Sequence, residues 1–264
     1  MILRRKSLDR EFDVDVERFA KNIYETEKGR IREAVLSADL DFLYQPISGS
    51  SDSAPTCLDV GAGLGQINRL FAEAGYQVTH TDIAAEMVSS AADFHNQLGL
   101  QGQYRYIHSS VQNLSQAIGD EKFDVVLCHA VLEWLADPFT ALSLLIERVR
   151  PGGWLSLMFY NIDAKRMANM IYGNFDYVNA GLKVKKKVRF SPNNPLKPDD
   201  ILARLGQYPV SLITHSGVRC FHDYMRKPDH DAEQLLALEL QYRKQSPYRQ
   251  LGRYQHLLLK KDTK

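Results

Sequence analysis

The amino-acid sequence predicts an α/β protein built on a doubly wound sheet of seven strands, with N-terminal helices and a basic insertion after the fifth strand. Three observations support this prediction. Short apolar segments alternate with helix-length segments through the middle of the chain, a glycine-rich turn joins the first such strand to a helix, and the charge of the chain changes sign near its midpoint. Strands that alternate with helices pair in parallel through right-handed crossovers, as in doubly wound sheets.

The order of the elements follows from apolar periodicity and turn residues. Residues 1–45 are predicted to be helical, because apolar side chains recur there at intervals of three and four residues. A Pro/Gly/Ser-rich break, residues 45–55, separates this region from an alternating core of residues 56–160. The core strands are predicted at Thr56–Val60, Gln77–Thr81, Tyr104–Ile107, Phe123–His129 and Trp154–Tyr160. The core helices are predicted at Gln66–Ala74, Ala84–Leu98, Val111–Ala117 and Pro138–Val149.

The chain changes character after the fifth strand. Residues 161–209 begin with a helix-compatible stretch and continue into a basic, proline-rich segment, so they are predicted to form an insertion carried on the sheet. Residues 210–264 contain two further strand candidates, Val210–Thr214 and Gln255–Lys260, with a helix from about Ala232 to Tyr242 between them. These two strands are expected to pair as an antiparallel hairpin at the sheet edge. Residues 1–264 are thereby predicted to form one domain.

The length and composition are those of an ordinary globular chain. The 264 residues, 44% hydrophobic and 25% charged, can bury a core without disulfides or metals. The apolar runs are too short to span a membrane, and the basic start of the chain is not followed by the apolar stretch of a signal peptide. Three widely spaced cysteines exclude a disulfide scaffold and indicate a reducing, cytoplasmic environment.

The net charge of +1 hides an asymmetry between the two halves. Residues 1–154 contain 14 Lys and Arg against 22 Asp and Glu, whereas residues 155–264 contain 19 against 10. Five of the seven residues from Lys183 to Arg189 are positively charged. Such a loop binds phosphates by releasing counterions, although a charge run is usually only solvated surface. Its place in an insertion favours RNA as the partner, with Lys185, Lys186 and Lys187 as candidate contacts.

The sharpest local signal is the glycine-rich turn, Cys57-Leu-Asp-Val-Gly61-Ala-Gly63-Leu-Gly65-Gln66. Glycine is needed where the chain turns sharply and its backbone approaches a ligand. Gln66 stands where a dinucleotide fingerprint has its third glycine, and the Gly-Lys-Ser/Thr of a Walker loop is missing. The pattern Asp-x-Gly-x-Gly-x-Gly instead resembles motif I of class I S-adenosylmethionine-dependent methyltransferases, which implies a Rossmann-like fold and that cofactor. The alternative is a tight turn without a ligand, which the surrounding alternation disfavours.

Other residues agree with this resemblance in order and spacing. Asp82 follows the second strand, where a carboxylate can accept both ribose hydroxyls of an adenosine, although it could equally cap the next helix. Val111 and Gln112 resemble the segment that contacts adenine, and His129 ends the fourth strand beside the cofactor. The remaining candidate cofactor residues are Asp59, Gly61, Ala62 and Gly63.

A more specific resemblance covers nearly the whole chain. The segments that carry it are residues 19–32, 129–138, 155–161, 173–178, 185–187, 217–224 and 251–254. They are similar to the bacterial tRNA 5-carboxymethoxyuridine methyltransferases. The resemblance implies that a wobble uridine in the tRNA anticodon loop is esterified with S-adenosylmethionine, and that Arg32 contacts the methionine carboxylate of the cofactor. Ala62 and Leu64 depart from the Gly and Glu expected in the family's glycine turn, and residues 1–8 look like an extension.

The reaction so implied requires alignment rather than a general base, because a carboxylate is already ionised at neutral pH. We therefore expect no catalytic dyad. Arg219 and Arg253 are candidates to clamp the substrate carboxylate, with a surface ion pair as an equal alternative for each. Candidates to stack on an unstacked base, with core packing as the alternative, are Tyr160, His222 and Tyr224.

Two other functions stay open at the level of sequence. A methyltransferase of a small acidic metabolite would carry the same cofactor motifs, and the basic insertion is what argues for RNA instead. An RNA-binding protein that had lost the cofactor would be expected to have damage at Asp59, Gly61, Gly63 or Asp82, and all four are intact. Neither DNA, a membrane nor a metal ion is expected as a partner.

Overall fold

The seven strands of the sheet run through the centre of the molecule. A computed structural model describes residues 26–44, 53–183, 194–226 and 229–263. Within these ranges the strands are β1 (Thr56–Val60), β2 (Gln77–Asp82), β3 (Tyr104–His108), β4 (Phe123–His129), β5 (Val149–Tyr160), β6 (Val210–Val218) and β7 (Tyr254–Lys261). They form one sheet in the order β3-β2-β1-β4-β5-β7-β6. The first five strands are parallel, and β7 pairs antiparallel with both β5 and β6. The predicted doubly wound, Rossmann-like sheet is confirmed.

Helices flank the sheet along the described parts of the chain. They are α1 (Glu27–Leu40), α2 (Gln66–Glu73), α3 (Ala85–Gln97), α4 (Leu114–Ile118), α5 (Pro138–Arg148), α6 (Ile162–Ile171), α7 (Phe175–Asn179), α8 (Pro198–Leu205) and α9 (Ala232–Tyr242). Each helix that was predicted within these ranges is present, with ends that shift by a few residues. None of these described helices is long and apolar enough to cross a membrane.

The last two strands pair antiparallel at the sheet edge, as predicted, with α9 between them. Their order was not predicted: β7 lies between β5 and β6, so that β6 forms the edge. Burial explains the placement. Gln255 to Leu259 of β7 are all buried, as befits a strand covered on both faces, whereas Ser211, Leu212 and Ile213 of β6 are exposed.

Helix α1 is fixed against the late strands and thereby brings its residues to the site. Thr26 caps it, since the Thr26 Oγ1 accepts a hydrogen bond from the Gly29 N–H at 3.1 Å. Buried side chains of α1 then pack against Met158 of β5 and Val218 of β6.

The three cysteines, Cys57, Cys128 and Cys220, are buried as free thiols.

Candidate cofactor and substrate site

The glycine turn between β1 and α2 has the backbone that only glycine adopts readily. Gly61 has a φ of +68° and Gly65 a φ of +76°, both in the left-handed region. A Cβ at Gly61 would also overlap the Val131 side chain, and one at Gly65 would lie 2.6 Å from the His95 ring. The turn therefore brings its backbone close to the neighbouring loop at the carboxyl end of β4, which is the edge where parallel sheets bind ligands.

Asp82 ends β2 and holds this turn in place. Its Oδ2 accepts a hydrogen bond from the Gly63 N–H and its Oδ1 one from the Ala84 N–H, each at 2.9 Å. Burial raises the pKa of Asp82, and these backbone donors oppose that shift. Ala84, not Asp82, occupies the N-cap position of α3. Because each carboxylate oxygen can accept more than one hydrogen bond, Asp82 keeps acceptor capacity for the two ribose hydroxyls of an adenosine.

Asp59 is buried on β1, behind the glycine turn. Its Oδ2 accepts a hydrogen bond of 2.9 Å from Asn68 Nδ2 on α2, and burial raises its pKa to about 7. Asn68 Oδ1 in turn accepts from the Tyr104 hydroxyl at 2.9 Å. This network ties α2 to the sheet behind the glycine turn. Of the predicted adenine contacts, Val111 is buried in the core and Gln112 is exposed.

His129 lies at the carboxyl end of β4, where the glycine turn and the later strands meet. Its Nε2 is 2.8 Å from the Ser156 hydroxyl. Burial holds the pKa of His129 well below its usual range, and Arg32 on α1 lowers it further. The imidazole is therefore neutral at physiological pH. Arg32 also acts electrostatically on Tyr254, which places it near the predicted substrate side.

A cluster of two aromatic rings and two cations occupies the neighbouring ends of β5 and β7. Tyr160 and Tyr254 are register partners whose ring centroids are 5.4 Å apart. The Arg253 guanidinium lies 4.9 Å from the centroid of the Tyr160 ring, and that of Arg219 lies 5.5 Å from the Tyr254 ring. We call these four residues the cation–aromatic cluster. Tyr160 and Arg219 are buried, as the core-packing alternative expects for Tyr160, whereas Arg253 and Tyr254 are partly exposed. An acidic ligand would therefore meet the cluster at Arg253 and Tyr254.

The two arginines of the cluster are not equivalent. Arg219 donates from Nε and Nη2 to the two carboxylate oxygens of Asp223, at 2.6 and 2.7 Å, so this side of its guanidinium is already filled. Arg253 makes no salt bridge within the described ranges, and its Nε is buried without a hydrogen-bond partner there. The geometry therefore favours Arg253 as the carboxylate clamp. A substrate contact through the remaining Nη1 of Arg219 stays a prediction.

The other predicted substrate residues are distributed around this cluster. Tyr224 donates its hydroxyl to the Leu251 carbonyl at 2.7 Å and so anchors the segment that leads to Arg253. His222 Nε2 lies 3.3 Å from the Glu27 carboxylate, which directs the ring toward α1. Stacking of either residue on a base stays a prediction. Lys185, Lys186 and Lys187 lie outside the described residues.

Glu133 is a candidate that the sequence-based reasoning did not single out. It follows β4 and is fully buried. Burial raises its pKa to about 8, and the backbone N–H groups of Glu133 and Tyr160 and the charge of Arg32 oppose the shift. A carboxyl group in this state is mostly protonated at neutral pH. The only sequence signal was a Glu in an otherwise apolar stretch after a strand.

The fold and the site together define the class of protein. Residues 58–157 match a family model described as "Methyltransferase domain". A putative sarcosine dimethylglycine methyltransferase from Galdieria sulphuraria shares the fold with a TM-score of 0.60 at 13% identity, over 95% of this chain and 99% of that one. Magnesium protoporphyrin IX methyltransferase from Synechocystis PCC 6803 with bound SAH gives a TM-score of 0.59 at 16% identity, over 93% of each chain. The protein is a class I methyltransferase whose cofactor is S-adenosylmethionine.

Sequence similarity then identifies the family. The tRNA 5-carboxymethoxyuridine methyltransferase of Escherichia coli (strain K12) is 40% identical over 256 residues, which is 96% of this chain and 97% of that protein. The chain belongs to this family. A ubiquinone biosynthesis O-methyltransferase from Cereibacter sphaeroides is 34% identical, but over 51% of this chain and 56% of its own length. That similarity covers only about half of each chain.

The candidate cofactor residues fit the expected ligand. The glycine turn lies at the carboxyl edge of the sheet, and Asp82 offers acceptors at the end of β2. Arg32 lies close enough to both His129 and Glu133 to shift their pKa values. No cluster of side chains in the described ranges could hold a metal ion.

Proposed function

We propose that this chain transfers the methyl group of S-adenosylmethionine to the carboxylate of 5-carboxymethoxyuridine at the wobble position of tRNA, forming the methyl ester. The observation that carries the proposal is Arg253, a partly exposed guanidinium that lies 4.9 Å from the Tyr160 ring centroid and makes no salt bridge among the described residues. It offers an acidic base a fork for the carboxylate. The relationship to the Escherichia coli enzyme over nearly the full length supports the same substrate.

The chain's own residues bind and align the two substrates. S-adenosylmethionine supplies an electrophilic methyl group when bound. In the proposal, Asp82 accepts the ribose hydroxyls, Gln112 contacts the adenine, and Arg32 pairs with the methionine carboxylate. Arg253 holds the base carboxylate so that one of its oxygens faces the methyl group. Most of the rate gain then comes from orientation and from exclusion of water around the nucleophile.

No residue needs to remove a proton in this reaction. The nucleophile is a carboxylate that is ionised above about pH 4, and ester formation releases neutral S-adenosylhomocysteine. His129, the titratable imidazole at the end of β4, is neutral and engaged with Ser156. Its role in the proposal is to position the cofactor rather than to act as a base.

A surface next to the cluster suits the rest of the anticodon loop. Tyr172, just after α6, and Phe175, at the start of α7, are 54% and 63% exposed, which is unusual for aromatic side chains. The Tyr172 hydroxyl donates to the Asp223 carbonyl, so the surface adjoins the partner of Arg219. The chain then continues into the basic run of residues 183–189. Exposed rings beside cations are how single-stranded RNA is bound, and tRNA as substrate implies a cytoplasmic reaction.

The direct test uses purified enzyme, S-adenosylmethionine and tRNA that carries the unesterified base. We expect a mass gain of one methyl group on that nucleoside, reversed by mild alkali because esters saponify whereas N-methyl and C-methyl groups do not. Matched tRNA without the carboxymethoxy group should gain no methyl group. An alkali-stable methyl group, or equal activity on a small carboxylic acid in place of tRNA, would contradict the proposal and favour the small-metabolite alternative.

A further inference from the structure

The loop that follows β6 has a backbone conformation that its own sequence does not favour. Arg219 has a φ of +62°, in the left-handed region that costs energy for a residue with a Cβ. A short 3-10 helix, His222–Tyr224, comes soon after it. We call residues 219–224 the support loop. Because position 219 is not a glycine, contacts from elsewhere in the fold must hold the loop in this conformation.

Glu239 of α9 supplies such contacts. Its side chain is fully buried. One of its carboxylate oxygens accepts a hydrogen bond from the Cys220 N–H at 2.5 Å. The other oxygen accepts from the N–H groups of Phe221 and His222, each at 2.9 Å. Successive N–H groups that converge in this way form a concave anion site, called a nest. In this protein the anion in the nest is the Glu239 carboxylate.

The nest requires a carboxylate rather than an amide at position 239. An ionised carboxylate only accepts hydrogen bonds, whereas the side-chain amide of glutamine has one oxygen and a donor NH₂ group. That NH₂ group would face a backbone N–H, and a buried donor without an acceptor is costly. Burial raises the pKa of Glu239, and the three N–H groups of the nest oppose that shift. Replacement of Glu239 by glutamine therefore disturbs the support loop with little change in side-chain shape.

The support loop in turn holds Arg253, which comes directly before β7. The Arg253 N–H donates a hydrogen bond to the Arg219 carbonyl at 3.2 Å. The Tyr224 hydroxyl donates one to the Leu251 carbonyl at 2.7 Å. A shift of the loop backbone would therefore move the segment that carries the Arg253 guanidinium, which now lies 4.9 Å from the centroid of the Tyr160 ring.

We propose that Glu239 is a positioning residue for the acidic substrate base. Its carboxylate fixes the support loop, and the loop holds Arg253 in the orientation from which its fork meets the substrate carboxylate. Because Glu239 is fully buried, it acts through the loop and not by contact with either substrate. The inference rests on the proposed function, since it concerns the clamp for the carboxymethoxy group.

Binding of two matched tRNAs to a Glu239→Gln variant tests the inference. One tRNA carries 5-carboxymethoxyuridine at the wobble position, and the other carries uridine there. The variant should bind the first tRNA about tenfold more weakly than the wild-type protein does, because the charge-assisted contact with Arg253 is weakened. It should bind the second tRNA with unchanged affinity, since uridine presents no carboxylate. Affinity for S-adenosylhomocysteine should also be unchanged.

The matched control is Glu233→Gln, which is the same substitution on the same helix. Glu233 forms an exposed salt bridge with Arg30, and such pairs contribute little to stability. This variant should bind both tRNAs as the wild-type protein does. If Glu239→Gln does not fold, Glu239→Asp takes its place, because it keeps the charge but withdraws the carboxylate from the nest by one methylene. It must show the same selective loss.

The outcomes separate this inference from the proposed function. Equal loss for both tRNAs would reduce Glu239 to a structural role and overturn the inference, and so would no loss for either. The inference alone fails if the wild-type protein prefers the carboxymethoxy tRNA and the Glu239 variant keeps that preference. A wild-type protein that binds the two tRNAs equally and methylates neither would contradict the proposed function, and the inference with it.

Discussion

Arg219 and Arg253 carry the same guanidinium group, but their neighbours give them different energetic roles. Asp223 satisfies two nitrogens of the nearly buried Arg219, and in return that arginine holds the pKa of Asp223 below its usual range against the effect of burial. Removing one partner of such a pair leaves a buried charge uncompensated. Arg253 contacts the Tyr160 ring instead, so its substitution affects the ligand side of the site more than the folded state.

The first prediction concerns these two arginines. Arg253→Lys keeps the positive charge but loses both the planar stack and the fork, so kcat/KM for tRNA should fall by roughly 10- to 100-fold. Its midpoint of thermal unfolding should stay close to that of the wild type. Arg219→Lys loses the two-point bond to Asp223 and should lower the unfolding midpoint as well as the activity. Methylation assays and thermal scans check both, and the reverse pattern would assign the clamp to Arg219.

The second prediction concerns the fully buried carboxyl group of Glu133. Its folded-state pKa of about 8 lies above that of an exposed glutamate. The folded state therefore keeps a proton that the unfolded state loses. The free energy of unfolding starts to fall above about pH 4, as the unfolded state loses this proton, and the fall is complete above about pH 8. Stability should fall across this window as the pH rises. Glu133→Gln, which is neutral and similar in shape, should remove that part of the fall.

The measurement is the free energy of unfolding by urea at several pH values. The difference between Glu133→Gln and the wild type should grow with pH and reach the order of a few kcal/mol at pH 8. Glu147→Gln serves as the control, since Glu147 is an exposed glutamate at the end of α5 and should show no such trend. A difference that is constant with pH would mean that Glu133 does not titrate in this range.

At the scale of elements, the core was predictable where local pattern determines structure. The strand–helix alternation from Thr56 to Tyr160 and the position of the glycine turn follow from apolar periodicity and from backbone conformations that glycine favours. The order of β6 and β7 in the sheet could not be predicted from these local patterns, because it depends on which strand is covered on both faces. The ion-pair partner of Arg219 and the burial of Glu133 could not be predicted from the sequence either, because burial and pairing arise when distant segments fold together.

A third prediction concerns the exposed ring that begins α7. Phe175→Ala should weaken tRNA binding by roughly 1–3 kcal/mol if the ring stacks on a base. The slope of log affinity against log salt should not change, because no charge is lost. Binding assays at several salt concentrations check this, with Ile213→Ala, an exposed apolar residue on the edge strand β6, as the control. Equal effects of the two substitutions would argue against stacking.

The fourth prediction addresses the basic run, which lies outside the described residues. Replacing Lys185, Lys186 and Lys187 by Ala should weaken tRNA binding, because fewer phosphates of the single-stranded loop are then neutralised. The magnitude of the salt slope should fall by about 0.7 for each such phosphate. Affinity for S-adenosylhomocysteine should be unaffected. An unchanged slope would show that the run is solvated surface.

At the scale of the whole molecule, the sheet brings two halves of opposite charge to one edge. The acidic first half supplies the glycine turn, Asp82 and His129, whereas the basic second half supplies Arg219, Arg253 and the exposed rings of Tyr172 and Phe175. Strand β7 joins the halves, because Tyr254 pairs with Tyr160 of β5 and His256 is hydrogen-bonded to Ser156 of β5. In the proposed reaction, the acceptor therefore meets the cofactor where β4 and β5 end and β7 begins.

The last prediction follows from the absence of proton removal in the proposed reaction. The base carboxylate is fully ionised above about pH 6, and His129 remains neutral throughout that range because burial depresses its pKa. The single-turnover rate with saturating tRNA and S-adenosylmethionine should therefore show no rising limb between about pH 6 and 7.5, unlike a reaction that needs a histidine base. Among the described residues near His129, Glu133 is placed to titrate close to this range, with a pKa of about 8. Any change of rate near pH 8 should therefore disappear in Glu133→Gln, and a rising limb that persists in this variant would require a base that the proposed mechanism does not contain.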